Sequence, residues 1–259
     1  MAIPDAELRP TRLLDFRMVA IAELIANRGW RDLSEHDRIG AAYNFVRNEI
    51  AFGYNSADDI SASAVLRDGY GQCNTKGTLL MALLRALDIP CRLHGFTIHK
   101  SLQRGIVPEI VYPLAPESIL HSWVKVWHRG RWINLEGFIL DDAILSVLQD
   151  SFADESDSLC GYGIGTNRLS SPSVEWRGTD TYIQETGINA NLGLFETPDD
   201  FFRQHQQSLG RLKGPLYRYL IRHWMNTRVR RIRSGIVPVI PFDEANPAHL
   251  VRKGQVGSL

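Results

Sequence analysis

The chain has 259 residues, is 44% hydrophobic and 22% charged, and carries a formal net charge of zero. That mix fits the packed core of one large domain or two small ones, and the balanced charge argues against a surface tuned as a whole to nucleic acid. No apolar run approaches the roughly 18 residues of a membrane span, no basic segment leads into an apolar stretch at the N-terminus, and three cysteines do not make a disulfide framework, so a reducing, cytoplasmic setting is expected.

Along residues 11–28, Leu13, Leu14, Phe16, Val19, Ile21, Leu24 and Ile25 predict an amphipathic helix ended by Gly29. Ser34-Glu35-His36-Asp37 reads as a helix cap, opening a second helix to about Glu49 with Ile39, Ala42, Tyr43, Val46 and Ile50 facing inward. Residues 53–69 read as loop and short helix. Gly69 and Gly71 then break the chain before Cys73, after which Leu79, Leu83 and Leu87 recur at helical spacing with Leu80 and Leu84 beside them. Asp88-Ile89-Pro90 stops that helix, because the residue before a proline is pushed out of the α region. Cys73 is thereby placed in a helix's first turn, where free N–H groups and the positive dipole end favour a thiolate.

Cys91 to Ile98 and His121 to Trp127 suit strands, and residues 99–120 between them read as a loop or flap. Arg129-Gly130 separates two alternating runs and predicts a β-hairpin. If the turn has two residues, His128 pairs with Arg131 and paired positions sum to 259. His121, Trp123, Trp132, Asn134 and Glu136 then share a face, and His121 lies diagonal to Glu136, roughly 7 to 8 Å away between backbones. A three-residue turn would put the two on opposite faces.

Further on, residues 132–167 hold seven acidic side chains and no Lys or Arg, whereas residues 201–242 hold nine Lys or Arg and no acid. Thr197-Pro198-Asp199-Asp200 opens a helix with Pro at its first position, and a longer helix is expected over Pro215 to Ile232. The last stretch reads as a loosely held tail.

A thiol nucleophile needs a base and something to orient that base. On the hairpin register above, Glu136 holds the imidazole of His121 while the other ring nitrogen faces Cys73. Each residue alone has a plainer explanation: Cys73 as a small packed hydrophobe, His121 as a satisfied strand residue, Glu136 as a solvated charge. Their placement relative to one another gives the combination its weight.

These segments also resemble a known family. Tyr70-Gly71-Gln72-Cys73, with the helix ending Leu84-Arg85-Ala86-Leu87-Asp88-Ile89-Pro90-Cys91-Arg92, is similar to the nucleophile segment of the transglutaminase-like superfamily. His121-Ser122-Trp123-Val124-Lys125-Val126 resembles its histidine strand, Gly130-Arg131-Trp132-Ile133-Asn134-Leu135-Glu136 its aspartate strand, and Tyr43 to Ile50 its preceding helix. The resemblance covers about residues 34–140. It implies an α+β, papain-like core in which the Cys helix packs on an antiparallel sheet bearing His and the acid, with extra C-terminal helices. The expected organisation is an N-terminal helix unit at 1–33, the core at 34–140, an elaboration of the same domain at 141–240 (acidic loop, then basic helices) and a tail at 241–259. This chain departs from the family in three places: Glu136 stands where Asp is usual, with Asp141 or Asp142 as alternative third members, Gly77 replaces Ala, and Asp88 replaces Gly.

The resemblance implies acyl chemistry through a thioester. Cys73 attacks a carboxamide or thioester carbonyl of a peptide, protein or small-molecule donor, His121 handles protons, and an amine or water resolves the acyl-enzyme. The backbone N–H of Cys73 and a second donor, Gln72 or a tryptophan indole, would meet the oxyanion, which makes Gln72, Trp123 and Asn134 the candidate oxyanion or substrate contacts. No cofactor or metal is expected, since His94 and His99 lack further ligands and residues 141–157 lack a calcium-loop pattern. Cys91 reads as buried and inert, and Cys160 as a packed or accessory thiol. The basic stretch Arg218, Arg222, Arg228, Arg230, Arg231 and Arg233 either pairs with the chain's own acidic segment 141–157 or docks an acidic partner; the latter would suit a catalytically silent binding module.

Overall fold

Where the expected first helix begins, polar side chains compete with the helical period. In the computed structural model, which describes residues 8–153, 157–206 and 214–240, Thr11 Oγ1 accepts from Leu14 N, the Asp199 carboxylate accepts from Leu13 N, and Asp15 accepts from Ser63 N. These bonds hold Leu13 and Leu14 buried in a loop, and helix α1 spans only Val19–Asn27. Helix α2 (Glu35–Asn48) starts on Ser34, whose hydroxyl accepts from Asp37 N, and its expected stripe from Ile39 to Val46 is buried.

Strand β1 (Ala51–Phe52) pairs in parallel with β2 (Tyr70–Gly71), helix α3 (Ala62–Asp68) lying between them in sequence. Helix α4 (Cys73–Ala86) follows at once and is buried along its whole length. Its two long cations are satisfied by carbonyls rather than by water. Lys76 Nζ donates to Arg47 O and Ile139 O at 3.2 and 2.9 Å, and Arg85 donates to the carbonyls of Arg9, Cys91 and Glu196. Asp88 ends the helix with φ of 60°, the left-handed cap that glycine adopts without strain.

Strands β3 (Cys91–His99), β4 (Ser118–His128), β5 (Arg131–Leu135) and β8 (Ile188–Phe195) form an antiparallel sheet in the order β5-β4-β3-β8. Arg129 and Gly130 both have positive φ, the geometry of a two-residue hairpin turn, and the ladder runs from His128↔Arg131 to Val124↔Leu135, the predicted register. Beyond it come α5 (Asp142–Ser151), the small hairpin of β6 (Leu159–Gly161) and β7 (Ile164–Thr166), and α6 (Pro198–Gln204), capped by Thr197. The last helix is described from residue 214 on, passes through a π-turn at Tyr217–Ile221 and continues as α7 (Arg222–Arg233). The expected tail at 241–259 lies outside the described residues. No described helix is long and apolar enough to cross a membrane.

Arg233 pairs with Asp141 at 2.6 Å, and among the described residues this is the sole ion pair between the basic stretch and the acidic segment. Arg228 donates to the carbonyls of Gly105 and Val107, while Arg218, Arg230 and Arg231 are exposed.

Two stability measurements follow. Asp88→Gly relieves the left-handed strain and should stabilise the fold by about 1 kcal/mol, raising Tm by ~2–4 °C in a calorimetric scan. Burial pushes Lys76 down to about 7 from 10.5. Its ammonium is charged in folded and unfolded chains below that value, so the burial cost is fully felt there. Between the two values only the unfolded chain holds the proton, and stability rises with pH. Relative to Lys76→Met, the wild type should therefore gain urea resistance between pH 7 and pH 9.

Candidate active site

Gly71 sets up the start of α4. A side chain there would meet Thr75 Oγ1 at 2.6 Å, and that hydroxyl instead accepts from Gln72 N at 3.1 Å and donates to Asn55 Oδ1 at 2.7 Å. The helix therefore opens at Cys73 with its first turn capped. Cys73 is 9% exposed and borders a cavity of about 870 Å³. Asn74 fixes this turn to the sheet: its Nδ2 donates to Leu120 O at 3.2 Å and its Oδ1 accepts from Ser122 Oγ at 2.9 Å. It thus grips the residues on either side of His121, and was not singled out from the sequence; the signal available was an amide side chain directly after the cysteine.

His121 and Glu136 are fully buried, and His121 Nε2 lies 2.8 Å from Glu136 Oε1. Nδ1 has no hydrogen-bond partner, and Cys73 acts on the same ring electrostatically. Burial alone would lower the imidazole's pKa, but the charge and hydrogen bonding of Cys73, together with the hydrogen bond and charge of Glu136, push it up to about 10. The buried ring is thus biased toward its charged form by the groups on either side of it.

The other carboxylate oxygen of Glu136 accepts from the backbone N–H groups of Ile183 and Gln184 at 2.8 and 3.0 Å. Thr181 completes the arrangement, accepting Glu136 N on its carbonyl and its hydroxyl and donating its own N–H to Asn134 O. Residues 181–184 are thus part of the site, a contribution that the reading of 141–240 as an elaboration missed. Asp141 and Asp142 are engaged elsewhere. Asp141 caps α5 and accepts from Phe52 N at 2.9 Å; burial would raise its pKa, but Arg233 and the Phe52 N–H hold it below the usual carboxylate range. Asp142 pairs with Arg47 and accepts from Asn48.

Gln72 lines the cavity with its amide fixed at both ends, Oε1 accepting from Asn55 N at 3.0 Å and Nε2 donating to Asp58 Oδ1 at 2.7 Å. One Nε2 hydrogen remains for a bound oxygen. Burial pushes the half-buried Asp58 carboxyl upward, against the hydrogen bonds of Gln72 and Asn74. Gln184 also lines the cavity; its Nε2 donates to Gly163 O, and its buried Oε1 has no partner, so an N–H of a bound molecule can be met there.

Two expected contacts are not at the cavity. Trp123 packs behind His121, with ring centroids 6.3 Å apart, and stacks on Phe96 at 4.0 Å. Asn134 shares the predicted face but sits farther along the hairpin, opposite Lys125, where Lys125, Asp180 and Tyr182 occupy its amide. Cys91 is fully buried, and Cys160 is half-buried beside Ser101 Oγ, burial pushing its thiol up. His94 and His99 contact Asn191 and Ser101 respectively.

Residues 25–137 match the family model of the transglutaminase-like superfamily. This stretch is a transglutaminase-like domain. Among solved structures, the chain is similar to a candidate cysteine protease from Cytophaga hutchinsonii, at 15% identity and a TM-score of 0.43, over 74% of this chain and 47% of that one. It is also similar to a candidate protease from Parabacteroides distasonis, at 14% identity and a TM-score of 0.32, over 51% of this chain and 24% of that one. The chain thus spans about half of the first protein and a quarter of the second, too loose a likeness to bear on chemistry. No curated protein matches it. The transglutaminase-like domain contains Cys73, His121 and Glu136, whereas the donors that hold the Glu136 carboxylate lie beyond its end.

Glu136→Ala would leave a buried imidazole and two buried N–H groups without their acceptor, and should cost about 3 kcal/mol or more in urea unfolding at pH 7. Glu136→Gln has the same shape but must aim an NH₂ group at His121 or at the Ile183 and Gln184 amides. It should also destabilise, by less than Glu136→Ala.

Proposed function

We propose that this protein is a thiol-dependent acyl-transfer enzyme with Cys73 as nucleophile, His121 as proton carrier and Glu136 as the group that orients the imidazole. The observation that carries this reading is the division of the His121 ring: Nε2 bound to a buried carboxylate, Nδ1 left to the cysteine, and that cysteine opening on a cavity.

In the first half-reaction the Cys73 sulfur adds to the carbonyl carbon of a carboxamide or thioester. The oxyanion is met by the backbone N–H of Cys73 and by Gln72 Nε2, which Asp58 and Asn55 pre-orient. Collapse breaks the bond to the leaving amine or thiol, which takes the proton from the His121 imidazolium. In the second half-reaction His121 accepts a proton from an incoming amine or water, which attacks the thioester and releases Cys73. Transfer and hydrolysis share every group up to this point. Incubation with an acyl donor and a labelled primary amine separates them, since label appears in the product only under transfer.

A cysteine sealed from solvent or remote from His121 would favour the alternative, a non-catalytic binding module; that Cys73 lines the cavity and acts on the His121 ring supports the enzyme instead. The decisive test is alkylation of each cysteine by limiting iodoacetamide between pH 5 and pH 9, read by peptide mass spectrometry. Cys73 should react at least tenfold faster than Cys160 at pH 6 and lose that advantage in His121→Ala. Equal rates for Cys73 and Cys160, unaffected by His121→Ala, would remove the catalytic reading.

A further inference from the structure

We propose that the donor's acyl group is a long, unbranched apolar chain, and that the cavity beside Cys73 is the site that holds it. This deepens the acyl-transfer reading and rests on it.

The cavity's volume of about 870 Å³ is at the upper end for a small-molecule site, far larger than the two methylenes of a glutamine side chain require. Its walls are largely apolar. The segment between β3 and β4 contributes Leu102 and Val107, β4 contributes Ile119, and the π-turn and α7 contribute Tyr217, Ile221 and Met225. Among the described residues, three side chains with a formal charge line it, namely Asp58, Asp59 and Arg218, and the last two are exposed and so lie at the rim. Asp58 is bonded to Gln72, the residue preceding Cys73. Gln72, Asn74 and Asp58 therefore sit at the thiol end, as does Gln184, whose backbone N–H holds Glu136; Ser56, Gln103 and Gln206 are the other hydroxyl and amide side chains of the described lining, tyrosines aside.

This polarity matches one chemical shape: a reactive carbonyl head and an apolar tail. A peptide in the same space would carry an N–H and a C=O at every residue; Gln184 Oε1 can meet one such N–H, but the apolar stretches of the wall leave most of the others unmet, at a cost in desolvation. An alkyl chain asks nothing of those walls beyond burial. The opening itself is apolar as well. Leu114, Leu216 and Tyr219 line the cavity and are 55%, 41% and 69% exposed, a cluster of uncovered apolar side chains at the mouth of a site rather than scattered singly.

The chemistry balances without further reagents. The Cys73 sulfur bonds to the acyl carbon, the carbon's bond to the donor's sulfur or nitrogen breaks, and that leaving group departs with the proton from His121. The donor's leaving group is thus a thiol or an amine, and the experiment separates them.

The full chain is offered two series of donors with 2, 8 and 12 carbons in the acyl group, N-acetylcysteamine thioesters and primary amides, below their micelle concentrations. Donor consumption and the acyl adduct on Cys73 are followed by mass spectrometry. The rate at low donor concentration should rise about three- to fourfold per added methylene until the cavity fills, in the thioester series, the amide series or both. Val107→Trp, which narrows the apolar part of the cavity, should lower the 12-carbon rate at least tenfold and bring the 12-to-2-carbon ratio toward one, with folding verified by a thermal melt. A rate independent of chain length, or no turnover in either series while His121-dependent alkylation of Cys73 persists, overturns this inference and leaves the acyl-transfer reading standing. Loss of that alkylation removes both.

Discussion

A fully buried carboxylate is the constraint on which this structure turns. Taking Glu136 out of water is costly unless donors surround it, and the chain supplies three: His121 Nε2 and the N–H groups of Ile183 and Gln184. Meeting that requirement fixes much else. The hairpin must hold its register so that the acid lies beside His121, and residues 181–184 must return to cover the end of β5. Asn74 must hold the first turn of α4 against β4 so that the cysteine meets the remaining ring nitrogen. Between the cysteine and the acid, the imidazole's pKa is in turn pushed up.

The nucleophile helix shows how the fold treats other charges. Lys76 and Arg85 lie buried among leucines, yet each ends on backbone carbonyls of neighbouring segments. They tie α4 to α2, to the chain before α5 and to the start of β3. With these polar anchors along its length, the helix presents the thiol at its first turn to the cavity. That combination suits covalent chemistry on a ligand whose bulk is apolar.

Much of this was legible in the sequence, for reasons that can be named. The helical period after Cys73 and the Pro90 stop fix α4, and Arg129-Gly130 fixes the hairpin, since two residues with positive φ allow one register only. From that register the meeting of His121 and Glu136 followed. The same face argument misplaced Asn134, because sharing a face says nothing about position along the strand, and the cavity lies at the His121 end. Residues 11–18 misled in another way: Thr11, Asp15 and Asp199 form side-chain bonds that outweigh the local apolar period. The contribution of Ile183 and Gln184 was invisible, being made by backbone N–H groups, which carry no residue-type signal.

Those backbone donors also order events in time. They lie 47 and 48 residues beyond Glu136, so a ribosome releases the cysteine, the histidine and the acid well before it releases what stabilises the acid. Until that later stretch docks, the carboxylate lacks two of its three donors, and burying it is disfavoured. The pocket of Glu136 can therefore close only after residues 183 and 184 have been made, so the core cannot mature ahead of the segment that follows it.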